Sequence, residues 1–180
     1  MKSAQATNQK IHTRQIDIAT YRGNTPDAFI VEGILKDERL LDTFGPAGKF
    51  YPAGTIHHMI VRITVKALTL VIEDIEVEMP TIPHQMCIDT LKCLDPVKGL
   101  AIVSGFTSSV KKLVGGVKGC VHLLALLTAM APAAFQGVFS AIGKDLDPSH
   151  TAEKMKDTCR VWREDGPLME QLTRSMKKKH

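Results

Sequence analysis

Aromatic residues make up only 5% of this 180-residue chain, which has one Trp and two Tyr. So few rings leave little to stack on bases, and nucleic acid is not an expected partner. Residues 1–15 have no apolar run of the kind that forms a secretory signal. That points to a reducing, cytoplasmic setting, in which Cys87, Cys93, Cys120 and Cys159 stay free or bind metal rather than pair as disulfides. The chain also has no phosphate-binding glycine motif, no GxSxG and no paired-histidine metalloprotease motif. Nor is there a local CxxC, so a metal site would have to be assembled from distant residues. From Val121 to Gly143 there is no Asp, Glu, Lys or Arg. A span of about 20 apolar residues is enough to cross a membrane. However, His122, Thr128, Pro132, Gln136 and Ser140 interrupt this one. The reading is a buried helix, kinked or broken near Pro132, and no membrane partner.

Hydrophobic residues account for 44% of the chain and the net charge is +4, part of it in the terminal run Lys177-Lys178-Lys179. This length and composition support a single core. Residues 1–10 read as a disordered start, 11–166 as one domain and 167–180 as an amphipathic, basic tail. Alternation predicts an edge strand over 11–22, a strand over 28–36 that ends at Asp37-Glu38-Arg39, and a hairpin over 59–65 and 68–79 with one wet face. Gly and Pro mark residues 42–55 as a loop. After Pro80 and Pro83, residues 84–94 read as helical, and Ser104 or Thr107 as the cap of a helix through Leu113. An apolar helix starts near Cys120, with a further helix over 132–142. Thr151 is a candidate cap for 152–159, and 168–176 is a last amphipathic piece. Strands first and helices second give an α+β fold: an antiparallel sheet of three to four strands covered by C-terminal helices.

The stretch Leu113-Val114-Gly115-Gly116-Val117-Lys118-Gly119-Cys120 sets a thiol where a glycine turn becomes a helix. The helix start and Lys118 would both favour the thiolate there. His57 lies just before a strand and Cys87 just after one. Of the neighbours His57 and His58, at most one can face a shared site, because adjacent strand residues point to opposite faces. His122 is two residues past Cys120, and on a regular helix those positions do not share a face. It therefore reads as a core histidine with its ring nitrogens satisfied, or as a group that binds something else. Cys93 reads as packing, and Asp37 and Glu38 as solvated residues at a strand end.

Two resemblances follow from these residues. Leu35-Lys36-Asp37, Ile56-His57-His58-Met59, Pro83 with Cys87, Gly119-Cys120-Val121-His122-Leu123, Ala134-Phe135-Gln136 and Cys159 with Asp165-Gly166 resemble the bacterial family described as domain of unknown function 2889. This family brings no activity to carry over. Residues 52–130 are also similar to the iron–sulfur cluster assembly scaffold proteins. Ala53 to Ile63 is similar to that family's first cysteine loop and strand, Cys87 to its second cysteine, and Leu113 to Cys120 to its third motif. The chain has no cysteine in the first loop, so the resemblance implies His57 or His58 in that place. Gly115 and Gly116 replace two prolines, and Gly119 replaces a ligand histidine.

The expected function is a metal or iron–sulfur cluster binder, with His57, Cys87 and Cys120 converging at one end of the sheet. His122, His58 or Cys159 is the candidate fourth ligand. Two thiolates with imidazole suit zinc or a cluster with mixed ligation. The alternatives are an accessory module that binds a protein partner without metal, and an enzyme with Cys120 as nucleophile and His57 or His122 as base.

Overall fold

A computed structural model of the chain describes residues 8–177. The expected starting segment 1–10 and the end of the basic tail fall largely outside these residues. Four antiparallel strands form the main sheet: β1 (His12–Arg22), β2 (Ala28–Arg39), β5 (Gly54–Lys66) and β6 (Ile72–Thr81), in the order β1-β2-β5-β6. The expected loop at 42–55 contains a two-stranded ribbon, β3 (Thr43–Phe44) and β4 (Phe50–Tyr51). The helices follow: α1 (Phe106–Val114), α2 (Val121–Ile142), α3 (Pro148–Met155) and α4 (Pro167–Lys177). The α+β reading therefore holds, with four strands and the edge strand where alternation put it.

One face of the sheet is the core. On β2 the inward positions are Phe29, Val31, Gly33, Leu35 and Asp37, opposite Val65, Ile63, Val61, Met59 and His57 of β5. Helix α2 lies across this face, with Leu123, Leu126, Leu127 and Met130 all 0% exposed. Burying a side chain of that size contributes about 1.5–3 kcal/mol relative to exposure. The helix is long and apolar enough to cross a membrane. Its inner stripe, however, forms the protein core, as the interruptions in its sequence suggested.

Two glycines let the helix approach this closely. A methyl group on Gly33 would lie 2.7 Å from Met130 Sδ and 3.0 Å from Leu126 Cδ1. One on Gly137 would lie 2.4 Å from Thr20 Cβ, and the Thr20 hydroxyl also donates to the Ala133 carbonyl at 3.3 Å. Thr20 is β-branched and cannot swing aside. Gly137→Ala should therefore destabilise the protein by about 1–3 kcal/mol through overpacking, despite a helix-propensity gain of about 1 kcal/mol. Adding Thr20→Ala should recover part of the loss in a urea double-mutant cycle.

Several local expectations are corrected. Helix α2 is a single element of 22 residues that runs through Pro132, rather than a helix that breaks there. Pro132 has no N–H for the Thr128 carbonyl, but Met130, Ala131, Ala134 and Val138 are buried on both sides of it and hold the axis. Residues 84–94 form 3-10 turns, Gln85–Thr90 among them, instead of an α-helix. The cap of α1 is neither Ser104 nor Thr107. It is Gly105, whose φ of 85° suits glycine. Helix α3 is capped by Asp147, which accepts the Ser149 N–H at 2.7 Å, and not by Thr151. The amphipathic end piece is α4, which packs against α3 and buries Met169.

Candidate metal centre

The strand register lines up three residues in one row: Arg14 of β1 lies opposite Asp37 of β2, which lies opposite His57 of β5. All three point to the face covered by α2. Past this row the β2–β5 ladder shifts register between Asp37 and Glu38, so Ile56 is passed over. Bulges of this kind often re-aim side chains beside functional sites. Helix α2 starts at the same end of the sheet and runs antiparallel to β2, which brings His122 of its first turn onto the row.

Asp37 is the hub. It is 2% exposed and the only buried charged residue among those described. Arg14 Nε and Nη2 donate to its two carboxylate oxygens, each at 2.7 Å. His57 Nδ1 lies 2.9 Å from Asp37 Oδ2. His122 Nε2 lies 3.8 Å from the same oxygen, and His12 Nε2 lies 3.8 Å from Oδ1. The rings of His57 and His122 overlap, with centroids 3.9 Å apart. On its other side, His122 Nδ1 is 3.7 Å from Cys120 Sγ. One ligand atom each from Asp37, His57 and His122 can be chosen so that all three lie within 4.8 Å of one another.

The electrostatics follow from this geometry. The Arg14 hydrogen bonds hold the Asp37 carboxyl below the usual carboxylate range, and they outweigh burial, which pushes it up. The same bonds raise the Arg14 pKa. Burial lowers the pKa of His122, helped by the nearby His57 and Arg14 and opposed by Asp37. The fold thus favours neutral His122. As pH falls through about 6.5, the unfolded chain takes up a proton that the folded chain resists. Stability should therefore decline below that pH, and His122→Gln should flatten the decline when urea midpoints are compared at pH 5.5 and 7.5.

The sequence-derived candidates sort as follows. His57 lies in the centre and faces inward, while its neighbour His58 projects to the other face. His122 also lies in the centre. Its spacing from Cys120 seemed to forbid a shared face, but Cys120 is the N-cap of α2, with extended backbone (φ −101°, ψ 128°). Regular-helix spacing does not apply there. Among the described residues, no cysteine belongs to the group of three. Cys87 lies in the 3-10 turn after β6, half-buried, with its carbonyl accepting from the Thr90 hydroxyl at 2.7 Å. Cys159 is exposed and caps the turn Arg160–Trp162. All four cysteines are free. Cys93 packs under the turn before α2: a methyl on Gly119 would meet its Sγ at 3.1 Å, and burial raises the pKa of its thiol. The Lys118 ammonium donates to the Lys112 carbonyl at 2.8 Å.

Asp37 reads from the sequence as solvated, and its burial corrects that. The signal was present in the alternation of β2. The series Phe29, Val31, Gly33 and Leu35 places residue 37 inward if the strand continues, and it continues to Arg39. Arg14 and His12, on the edge strand, carried no comparable signal.

No curated protein and no solved structure matches the chain. Neither comparison supports the likeness to iron–sulfur scaffolds expected from the motifs. A family model does match, over residues 12–136, a stretch that includes Arg14, Asp37, His57, Cys120 and His122. The chain belongs to the DUF2889 family, proteins of unknown function.

Proposed function

We propose that this protein binds one divalent transition-metal ion of the zinc class through Asp37, His57 and His122. The observation that supports this reading is the buried carboxylate with two imidazoles gathered at a single pole of the sheet. Neighbouring ligand atoms on a tetrahedral zinc, with bonds of about 2.0–2.1 Å, sit roughly 3.3 Å apart. The observed spacings from Asp37 Oδ2, 2.9 Å to His57 and 3.8 Å to His122, bracket that value. A nitrogen–nitrogen–oxygen set favours a single ion over an iron–sulfur cluster, which is held mainly by thiolates.

Cys120 has a different part in this proposal from the ligand role expected from sequence. His122 Nε2 faces Asp37 and its Nδ1 faces Cys120. When Nε2 takes the ion, the thiol becomes the outer partner that orients the ring. Arg14 has the matching role on the carboxylate, holding both of its oxygens from β1 while His57 approaches from β5. Three protein ligands leave a coordination position for water or substrate, where a bound ion would supply Lewis acidity.

Purified protein dialysed against zinc or cobalt(II) should retain one ion per chain by elemental analysis. The cobalt form should show visible d–d bands. His57→Ala and His122→Ala should each weaken binding about 100-fold or more, and Cys120→Ala by about 10-fold, as for an outer partner. No retained metal, or retention unaffected by either histidine substitution, overturns the proposal. The 3.7 Å Sγ–Nδ1 contact favours a second reading, in which Cys120 is a nucleophile paired with His122. That reading requires alkylation of Cys120 to slow markedly in His122→Ala while metal retention stays low throughout.

A further inference from the structure

A second concave site lies away from the pole. A cavity of about 490 Å³ opens between the start of α1, the middle of α2 and the chain from α3 to the turn at Arg160–Trp162. Its α2 wall begins at Thr128, six residues past His122, so the cavity is about 9 Å or more along the helix from the metal centre. Phe106, Ala131, Phe135 and Trp162 form the apolar part of the lining. The polar part holds the exposed, hydroxyl-bearing Ser104, Thr107 and Ser108, with the half-buried Lys154. The size and the apolar body with a few polar groups are those of small-molecule sites.

The charges in the lining indicate the class of ligand. Lys154 lines the cavity, and among the described residues it forms no ion pair with a carboxylate. The one acidic residue in the lining, Asp157, has Oδ1 committed to the Glu164 N–H at 3.0 Å, in a segment pinned by the Ser104 hydroxyl on the Asp157 carbonyl at 3.3 Å. A ligand in the cavity thus meets the Lys154 ammonium and the Thr107 and Ser108 hydroxyls on one part of the lining, and aromatic and aliphatic carbon on the rest. We infer that this cavity binds a small monocarboxylic acid with an apolar body, its carboxylate at Lys154 and its hydrocarbon against Phe135 and Trp162. This inference does not depend on the metal reading, since the two sites share no residue.

The chain carries its own reporters here. Trp162 is its one tryptophan, and the exposed thiol of Cys159 borders the same cavity. Octanoate, octan-1-ol and octylamine are titrated into the full chain at neutral pH while Trp162 emission is followed. Octanoate should give a saturable change at one molecule per chain, bind at least tenfold tighter than octylamine, and protect Cys159 from a thiol reagent, with the labelled cysteine assigned by mass spectrometry. Lys154→Glu should weaken octanoate at least tenfold and leave octan-1-ol within about twofold. Equal binding of the three ligands, or no saturable change, overturns the inference. These comparisons are made on the unaltered protein, so a misfolded Lys154→Glu would not shelter it.

Discussion

Arg14→Met should destabilise the protein by about 3 kcal/mol at neutral pH. Removing one partner of a buried ion pair typically costs about 3–5 kcal/mol, because the other charge is left uncompensated. The low end applies because Arg14 is 39% exposed and water screens part of the pair, whereas Asp37 is 2% exposed. The loss falls on the carboxylate, which is almost closed to water and would keep His57 at hydrogen-bond distance, with His12 and His122 at 3.8 Å. Two further results should follow. Asp37→Asn should cost less than Arg14→Met, because Arg14 can turn its charge to solvent. The double substitution should also be more stable than Arg14→Met alone. Acid should narrow the gap. Without Arg14 the Asp37 pKa rises from its lowered value, since burial pushes it up against His57 alone, so the gap to the parent closes as pH falls through the variant's value. Urea unfolding of the four proteins at pH 7 and pH 4.5 measures all of this. An Arg14→Met that is as stable as the parent at pH 7 would mean that the pair carries no structural weight.

Metal should stabilise the fold strongly. A ligand present at 100 times its Kd and bound only by the folded state adds about 2.7 kcal/mol. For a chain of this length that corresponds to roughly 5–11 °C in Tm. Binding by the unfolded chain, with its four cysteines and seven histidines, will reduce the gain. The informative quantity is therefore the difference between the parent and His57→Ala or His122→Ala in the same zinc or cobalt series. The shift should vanish in both variants and persist in Cys87→Ala and Cys159→Ala, whose thiols are not in the group of three. A shift of equal size in the histidine variants would assign the effect to adventitious metal.

The sheet was legible because its strands alternate, and alternation is a direct record of which face is wet. The centre was only half legible. His57 could be found because its strand was found and its neighbour His58 had to face the other way. Asp37 was misjudged because Asp37-Glu38-Arg39 looks like the polar exit of a strand. A buried acid is compatible with that pattern only when a cation waits opposite, and Arg14 is 23 residues away on an edge strand. His122 reads from sequence as a core histidine or at most a fourth ligand, because regular-helix spacing separates it from Cys120, and that spacing fails one residue before a helix begins. Pro132 reads locally as a break, since local propensity cannot register the buried residues on both sides of it that keep α2 continuous. Cys87 drew attention by its place after a strand, but a sequence position after a strand does not set the direction of a side chain on a 3-10 turn.

The row Arg14–Asp37–His57 also acts as a registry mark for β1. Side chains on a strand alternate faces, so a slip of β1 by one residue would carry Arg14 to the outer surface and set a neutral Thr13 or Gln15 opposite the acid. Such a slip would still satisfy a ladder of backbone hydrogen bonds, and edge strands are the ones most prone to it. What forbids it is the stranded anion. The acidic hub thus proofreads the alignment of the outermost strand, and mispaired sheets should accumulate in its absence.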